Sequence, residues 1–166
     1  EKEVSFLSMS YSSKNDRVGA ILTNGMMAFG KVAINSQPKN TYQLATVVQN
    51  LLSLILNEWV TVSKSTLYFW NLKEESISHT IVCEEANYIT DICEMNHLRS
   101  ICVSTVTHKE EKYLFIYHDS KRVAKINLGN TGCHTLHYNL LTQSLIPLGY
   151  HNSVPVYTVN GVEFDT

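Results

Sequence analysis

Residues 59–81 read WVTVSKSTLYFWNLKEESISHTI. A run rich in β-branched and aromatic residues (59–62) meets the polar pair Lys64-Ser65, a second run (67–70) leads into a charged turn (73–76), and a third run follows (77–81). Short apolar runs separated by tight polar turns predict three antiparallel strands in tandem.

Upstream, runs at 4–9, 18–23 and 26–34 predict further strands. The last two are joined by Asn24-Gly25, a pair suited to a type I′ hairpin because both turn residues need positive φ. Downstream, runs at 88–93, 101–106, 113–118, 123–128, 133–138, 145–148, 154–159 and 162–164 continue the pattern, with Asn160-Gly161 as a second hairpin signal. Residues 37–58 allow two readings. Leu44, Val47, Val48, Leu51, Leu52, Ile55 and Trp59 recur at three- and four-residue steps, as on one face of a helix capped by Asn40 or Thr41. The neighbouring pattern instead favours strands at 43–48 and 51–56, and period alone does not separate short apolar runs. Strands are preferred here; a helix over 41–58 stays open.

Four runs end on an aromatic residue: MMAF at Phe29, LYFW at Trp70, LFIY at Tyr117 and PVY at Tyr157, in steps of 41, 47 and 40 residues. That spacing is near the length of a four-stranded propeller blade. Together with Trp70-Asn71, which stands where the family carries Trp-Asp, it makes the chain resemble a degenerate WD40-type β-propeller of about four blade-like units. The resemblance implies an all-β fold, an incomplete or fragmentary propeller, with units over residues 3–39, 40–86, 87–131 and 132–166. Tyr117-His118 and Tyr157-Thr158 replace the dipeptide elsewhere, so no functional residue is carried over from the family. Blades stack face to face, so a central strand is covered on both sides and loses strict alternation. The chain begins at Glu1 and is expected to be a piece of something longer.

Composition narrows the functional classes. The chain has 166 residues, 44% hydrophobic and 17% charged, with a net charge of -2 in small mixed clusters. Length and composition predict a single globular domain rather than disorder. Nucleic-acid binding is not indicated, because it needs cations concentrated on one face. Cys83, Cys93, Cys102 and Cys133 form no CxxC pair and no zinc spacing, and read as reduced structural thiols. No apolar run approaches membrane-spanning length. An intracellular protein, in nucleus or cytoplasm, is the expectation.

Three constellations carry chemistry on paper. His134 and His137 offer two imidazoles, but an i, i+3 pair on a strand points to opposite faces, so no metal site is expected. His118-Asp119-Ser120 supplies the residue types of a hydrolase triad, yet neighbours in a turn do not present that geometry, and a plain β-turn is the reading. Residues 129–132 lack the Lys-Ser/Thr of a phosphate loop. A propeller enzyme would need Asp, Glu or His recurring at equivalent blade positions, and none recurs.

The expectation is therefore a non-catalytic protein–protein interaction scaffold in a multiprotein complex, with other protein subunits as partners and no cofactor. Trp59, Tyr68, Trp70 and Tyr117 are candidates for its interaction surface, since Trp and Tyr are enriched in binding hot spots. Aromatics also dominate cores, and burial decides between the two roles. The competing expectation is a small α+β domain, with the helix 41–58 on a sheet, serving as a trafficking-type adaptor or a small enzyme.

Overall fold

Fifteen strands, all paired antiparallel, are present in the computed structural model, which describes residues 5–24, 26–31, 40–43, 52–55, 58–95, 99–149 and 154–158. They form four sheets in which spatial order follows chain order. The first holds β1 (Phe6–Ser12), β2 (Arg17–Leu22), β3 (Met26–Gly30) and β4 (Asn40–Gln43); the second holds β5 (Leu52–Ile55), β6 (Glu58–Ser63), β7 (Thr66–Asn71) and β8 (Ser76–Val82). The third holds β9 (Ala86–Met95), β10 (Ser100–Thr107), β11 (Lys112–His118) and β12 (Lys121–Gly129), and the fourth β13 (Thr135–Asn139), β14 (Ser144–Leu148) and β15 (Tyr157–Thr158). No helix occurs among the described residues.

The sequence explains the second sheet directly. Ser63 pairs with Thr66 across the two-residue turn Lys64-Ser65, where Lys64 takes φ 50°. Trp59 then lies opposite Trp70 and Val60 opposite Phe69. Every residue of β10 is buried, and its Ser-Ile-Cys-Val-Ser-Thr-Val-Thr sequence suits a strand covered on both faces.

The helix over 41–58 is overturned. Asn40–Gln43 and Leu52–Ile55 are strands of two different sheets, and Asn40 pairs with Phe29 instead of capping a helix. Residues 44–51 lie outside the described residues, as does most of the strand expected at 43–48. Of the apolar residues at three- and four-residue spacing, the described ones, Leu52, Ile55 and Trp59, lie in the two strands β5 and β6, so there the helical period is a coincidence. Gly25 and the Asn160-Gly161 signal fall outside the described residues, and the type I′ turn expected at Asn24-Gly25 is not borne out: Ile21 lies opposite Met27, one residue off the Leu22–Met27 pairing that a two-residue turn requires, and Asn24 does not take a positive φ.

The chain divides into two compact units, Glu1–Val82 and Cys83–Thr166. In the first, Ile21, Met27 and Phe29 of the first sheet pack on Trp59, Trp70 and Leu72 of the second. Phe29 sits 5.3 Å from the Trp59 ring and 5.6 Å from the Trp70 ring. Gly19 makes this approach feasible, because a Cβ there would lie 2.9 Å from Met27 Cε and 3.0 Å from Trp59 Cδ2. In the second unit, Met95, Cys102, Leu114, Ile116 and Leu128 pack on Leu136 and Leu145 of the fourth sheet. The Leu136 N–H donates to the Asp91 carboxylate at 2.6 Å, which ties β13 to β9.

Candidate interaction surface

The four aromatic candidates separate by burial. Trp59, Trp70 and Tyr117 are buried, so these three belong to the core and not to a surface; Tyr68 is half-buried. The Trp70 indole N–H donates to Thr61 Oγ1 at 2.9 Å inside the first unit. Trp59 Nε1, equally buried, has no hydrogen-bond partner among the described residues. Burial raises both Tyr117 and the neighbouring Cys83 thiol, Cys83 to about 11.

The outward side of β1 forms a surface instead. On β1, Leu7, Met9 and Tyr11 are 42%, 61% and 50% exposed. They alternate with Ser8, Ser10 and Ser12, of which Ser12 is buried and the other two partly so. The serines share a face with Ile21 and Gly19, their partners in β2, and hence with the core. The usual arrangement of a strand is reversed: apolar side chains point out and hydroxyls point in. Met9 lies opposite Ala20, which lies opposite Ala28, so the exposed stripe stands beside a floor of small side chains.

A second exposed group lies on the outer strand of the second sheet. Ile77 and Val82 are exposed, and with Thr80 they lie opposite Trp70, Thr66 and Tyr68 on β7. From Ser76 to Val82 this edge strand carries no charged residue, whereas the corresponding edge β12 carries Lys121, Arg122 and Lys125. Charged side chains guard exposed strand edges against pairing, and β8 lacks that guard. Glu85, just before β9, binds both Arg122 (2.7 Å) and Lys125 (2.5 Å) of β12, which hold its carboxyl below the usual value. The same cations lie over the rings of Phe115 and Tyr113, at 4.8 and 4.1 Å.

The sequence constellations resolve as turns and strand ends. Asp119 and Ser120 are the two central residues of the β11–β12 hairpin, with φ 44° and 70°, the positive pair of a type I′ turn. His118 Nδ1 sits 3.0 Å from Ser100 Oγ on β10 and its Nε2 lies 3.5 Å from Asp119 Oδ2, so the ring nitrogens meet Ser100 and Asp119. His134 and His137 are both exposed, and no group of three or more His, Cys, Asp or Glu among the described residues has the geometry of a metal site. A shallow cleft of about 200 Å³ is lined by Lys14, Asn15, Glu58, Asn71, Leu72 and Lys73. No helix among the described residues is long and apolar enough to cross a membrane.

No protein-family model matches the chain, and no curated protein matches it. Among solved structures it is similar to a chain of the "Crystal Structure of Mitotic Checkpoint Complex", with a TM-score of 0.72 at 13% identity over 95% of this chain. The likeness is one of fold. It supports all-β architecture of WD40-like propeller blades, as Trp70-Asn71 and the aromatic repeat led one to expect. The chain spans about half that neighbour, covering 50% of its length. The fold is widespread, with 566 solved chains resembling this one, so it carries no partner or substrate by itself.

Proposed function

We propose that the chain is a non-catalytic protein–protein interaction scaffold of an intracellular multiprotein complex, in the nucleus or the cytoplasm, with other protein subunits as its partners. The observation that carries this reading is the inverted strand β1, whose Leu7, Met9 and Tyr11 face outward while its serines face the core. Large exposed apolar groups arranged along one face mark an interaction site rather than ordinary surface scatter. The uncharged edge β8, with Tyr68, Ile77 and Val82, offers a second place for a partner. Support also comes from the structural neighbour, a chain of a mitotic checkpoint complex.

The test uses a photo-crosslinking amino acid at Met9 in cells, with Lys109 on an exposed turn as the control position. Discrete protein adducts specific to position 9 are expected, and they should disappear when Leu7→Glu and Tyr11→Glu are added. Adducts equally abundant at position 109, or none at position 9, would overturn the reading. Because these side chains are exposed, each glutamate should change stability by no more than about 0.5 kcal/mol, and the circular dichroism spectrum should be unaltered.

A further inference from the structure

In the second unit, Cys93 on β9 and Cys102 on β10 are directly opposite in the antiparallel register. Residues so placed have Cα atoms about 4.5 or 5.5 Å apart, depending on the type of pair. Both separations lie within the span of a disulfide, roughly 4.4–6.8 Å. As directly opposed residues of an antiparallel pair the two side chains share one face, and both thiols are free. Their environments differ: Cys102 is fully buried against Leu114 and Ile116, and Cys93 is half-buried. A third sulfur stands nearby on Cys133, whose S–H donates to the Thr135 carbonyl at 3.4 Å.

We infer that Cys93 and Cys102 are a redox-modification site at which a hydroperoxide converts the facing thiols into a reversible cross-strand disulfide. The Cys93 sulfur, the one within reach of solvent, attacks the terminal oxygen of the hydroperoxide. The O–O bond breaks, an alcohol (water, for hydrogen peroxide) leaves, and Cys93 becomes a sulfenic acid. The Cys102 sulfur then attacks the Cys93 sulfur, the S–O bond breaks, and water leaves with the thiol proton. Two thiols lose two electrons, and one hydroperoxide gains them.

Burial explains the resting state. It pushes the Cys102 thiol well up, keeping that sulfur protonated and unreactive toward reagents from solvent. A partner sulfur already held across the ladder needs no approach, so ring closure is the reaction open to oxidised Cys93. The bond would staple β9 to β10, and a glutathione-type thiol would release it.

The experiment treats the whole chain with hydrogen peroxide, quenches it with an alkylating agent in denaturant, and counts thiols. A fall from four free thiols to two is expected, with full recovery after dithiothreitol. Cleavage at Arg99 and Lys109 and at Glu85 and Glu94 separates residues 86–94 from 100–109, and these two peptides should appear joined. Cys133→Ser should leave the link intact, and Cys93→Ser should abolish it. Four thiols persisting, a sulfinic acid on Cys93 in place of the link, or a bond to Cys133 would each overturn the inference. Mapping on the unmodified sequence keeps the test decisive even if a variant fails to fold.

Discussion

Thr61 shows how one side chain can hold a core together. Its hydroxyl accepts the Trp70 indole N–H at 2.9 Å in a site closed to water. Thr61→Val keeps the shape and takes away this acceptor, so urea unfolding should show a loss of about 1 kcal/mol or more. Thr61→Ser keeps the oxygen and removes a methyl, and should cost nearer 0.8 kcal/mol. Gly19 acts through absence: a methyl there meets the Trp59 ring at 3.0 Å, and an indole cannot fold away as the Met27 methyl can. Gly19→Ala should therefore destabilise by about 1–3 kcal/mol, the cost of overpacking a filled core, while Gly30→Ala, with open space around it, should not. Neither Thr61 nor Gly19 was legible in the sequence. Threonine is common in any strand, and Gly19 marks no turn; only the β6–β7 pairing places Thr61 beside Trp70, and only the packing of the first sheet on the second places Gly19 against Trp59.

At the scale of strands, two carboxylates pull the acid stability of the second unit in opposite directions. Glu85 is held below its ordinary value by Lys125 and Arg122, so its contribution is present above the unfolded value, about 4.3, and is lost as pH falls through the lower folded value. Asp91 is raised by burial, which outweighs the Leu136 N–H that it accepts. Its folded form holds a proton more tightly than the unfolded chain does, so stability falls as pH rises from about 3.9 through the raised folded value. Asp91→Asn should thus stabilise the unit at neutral pH relative to acid, since an amide oxygen still accepts from Leu136. Glu85→Gln should flatten the loss on acidification, and added salt should mimic it by screening. Urea midpoints measured at a series of pH values distinguish the two slopes. Strand positions themselves were readable, because β-branched runs between polar turns leave few alternatives. The two readings of 41–58 part only at the level of pairing: an apolar run carries both periods until its strand partners are known, and here those partners are Ala28 for Thr41 and Trp59 for Leu54, which favours the preferred strands over the helix.

At the scale of the whole molecule, the legible signal was the aromatic repeat. Phe29, Trp70, Tyr117 and Tyr157 lie in β3, β7, β11 and β15, the third strand of each sheet. What the repeat did not reveal was which aromatics face outward, since exposure depends on the neighbouring sheet and not on the strand's own letters. The exposed stripe of β1 was visible as alternation, Leu-x-Met-x-Tyr, but alternation gives two faces without saying which is covered. With strands throughout the described residues, far-ultraviolet circular dichroism should show a β-sheet spectrum; a helical component of about a tenth of the chain would restore the α+β alternative.

The placement of the indoles has an optical consequence. Trp59 and Trp70, the chain's two tryptophans, lie together in the core of Glu1–Val82, whereas Cys83–Thr166 holds tyrosine as its longest-wavelength ordinary chromophore. Emission excited at the red edge of the absorption band therefore reports on the first half of the chain and is blind to the second. A melting curve followed by that emission would record one unit's loss of packing as though it were the protein's, and only a backbone signal recorded beside it would reveal whether the tyrosine half had already gone.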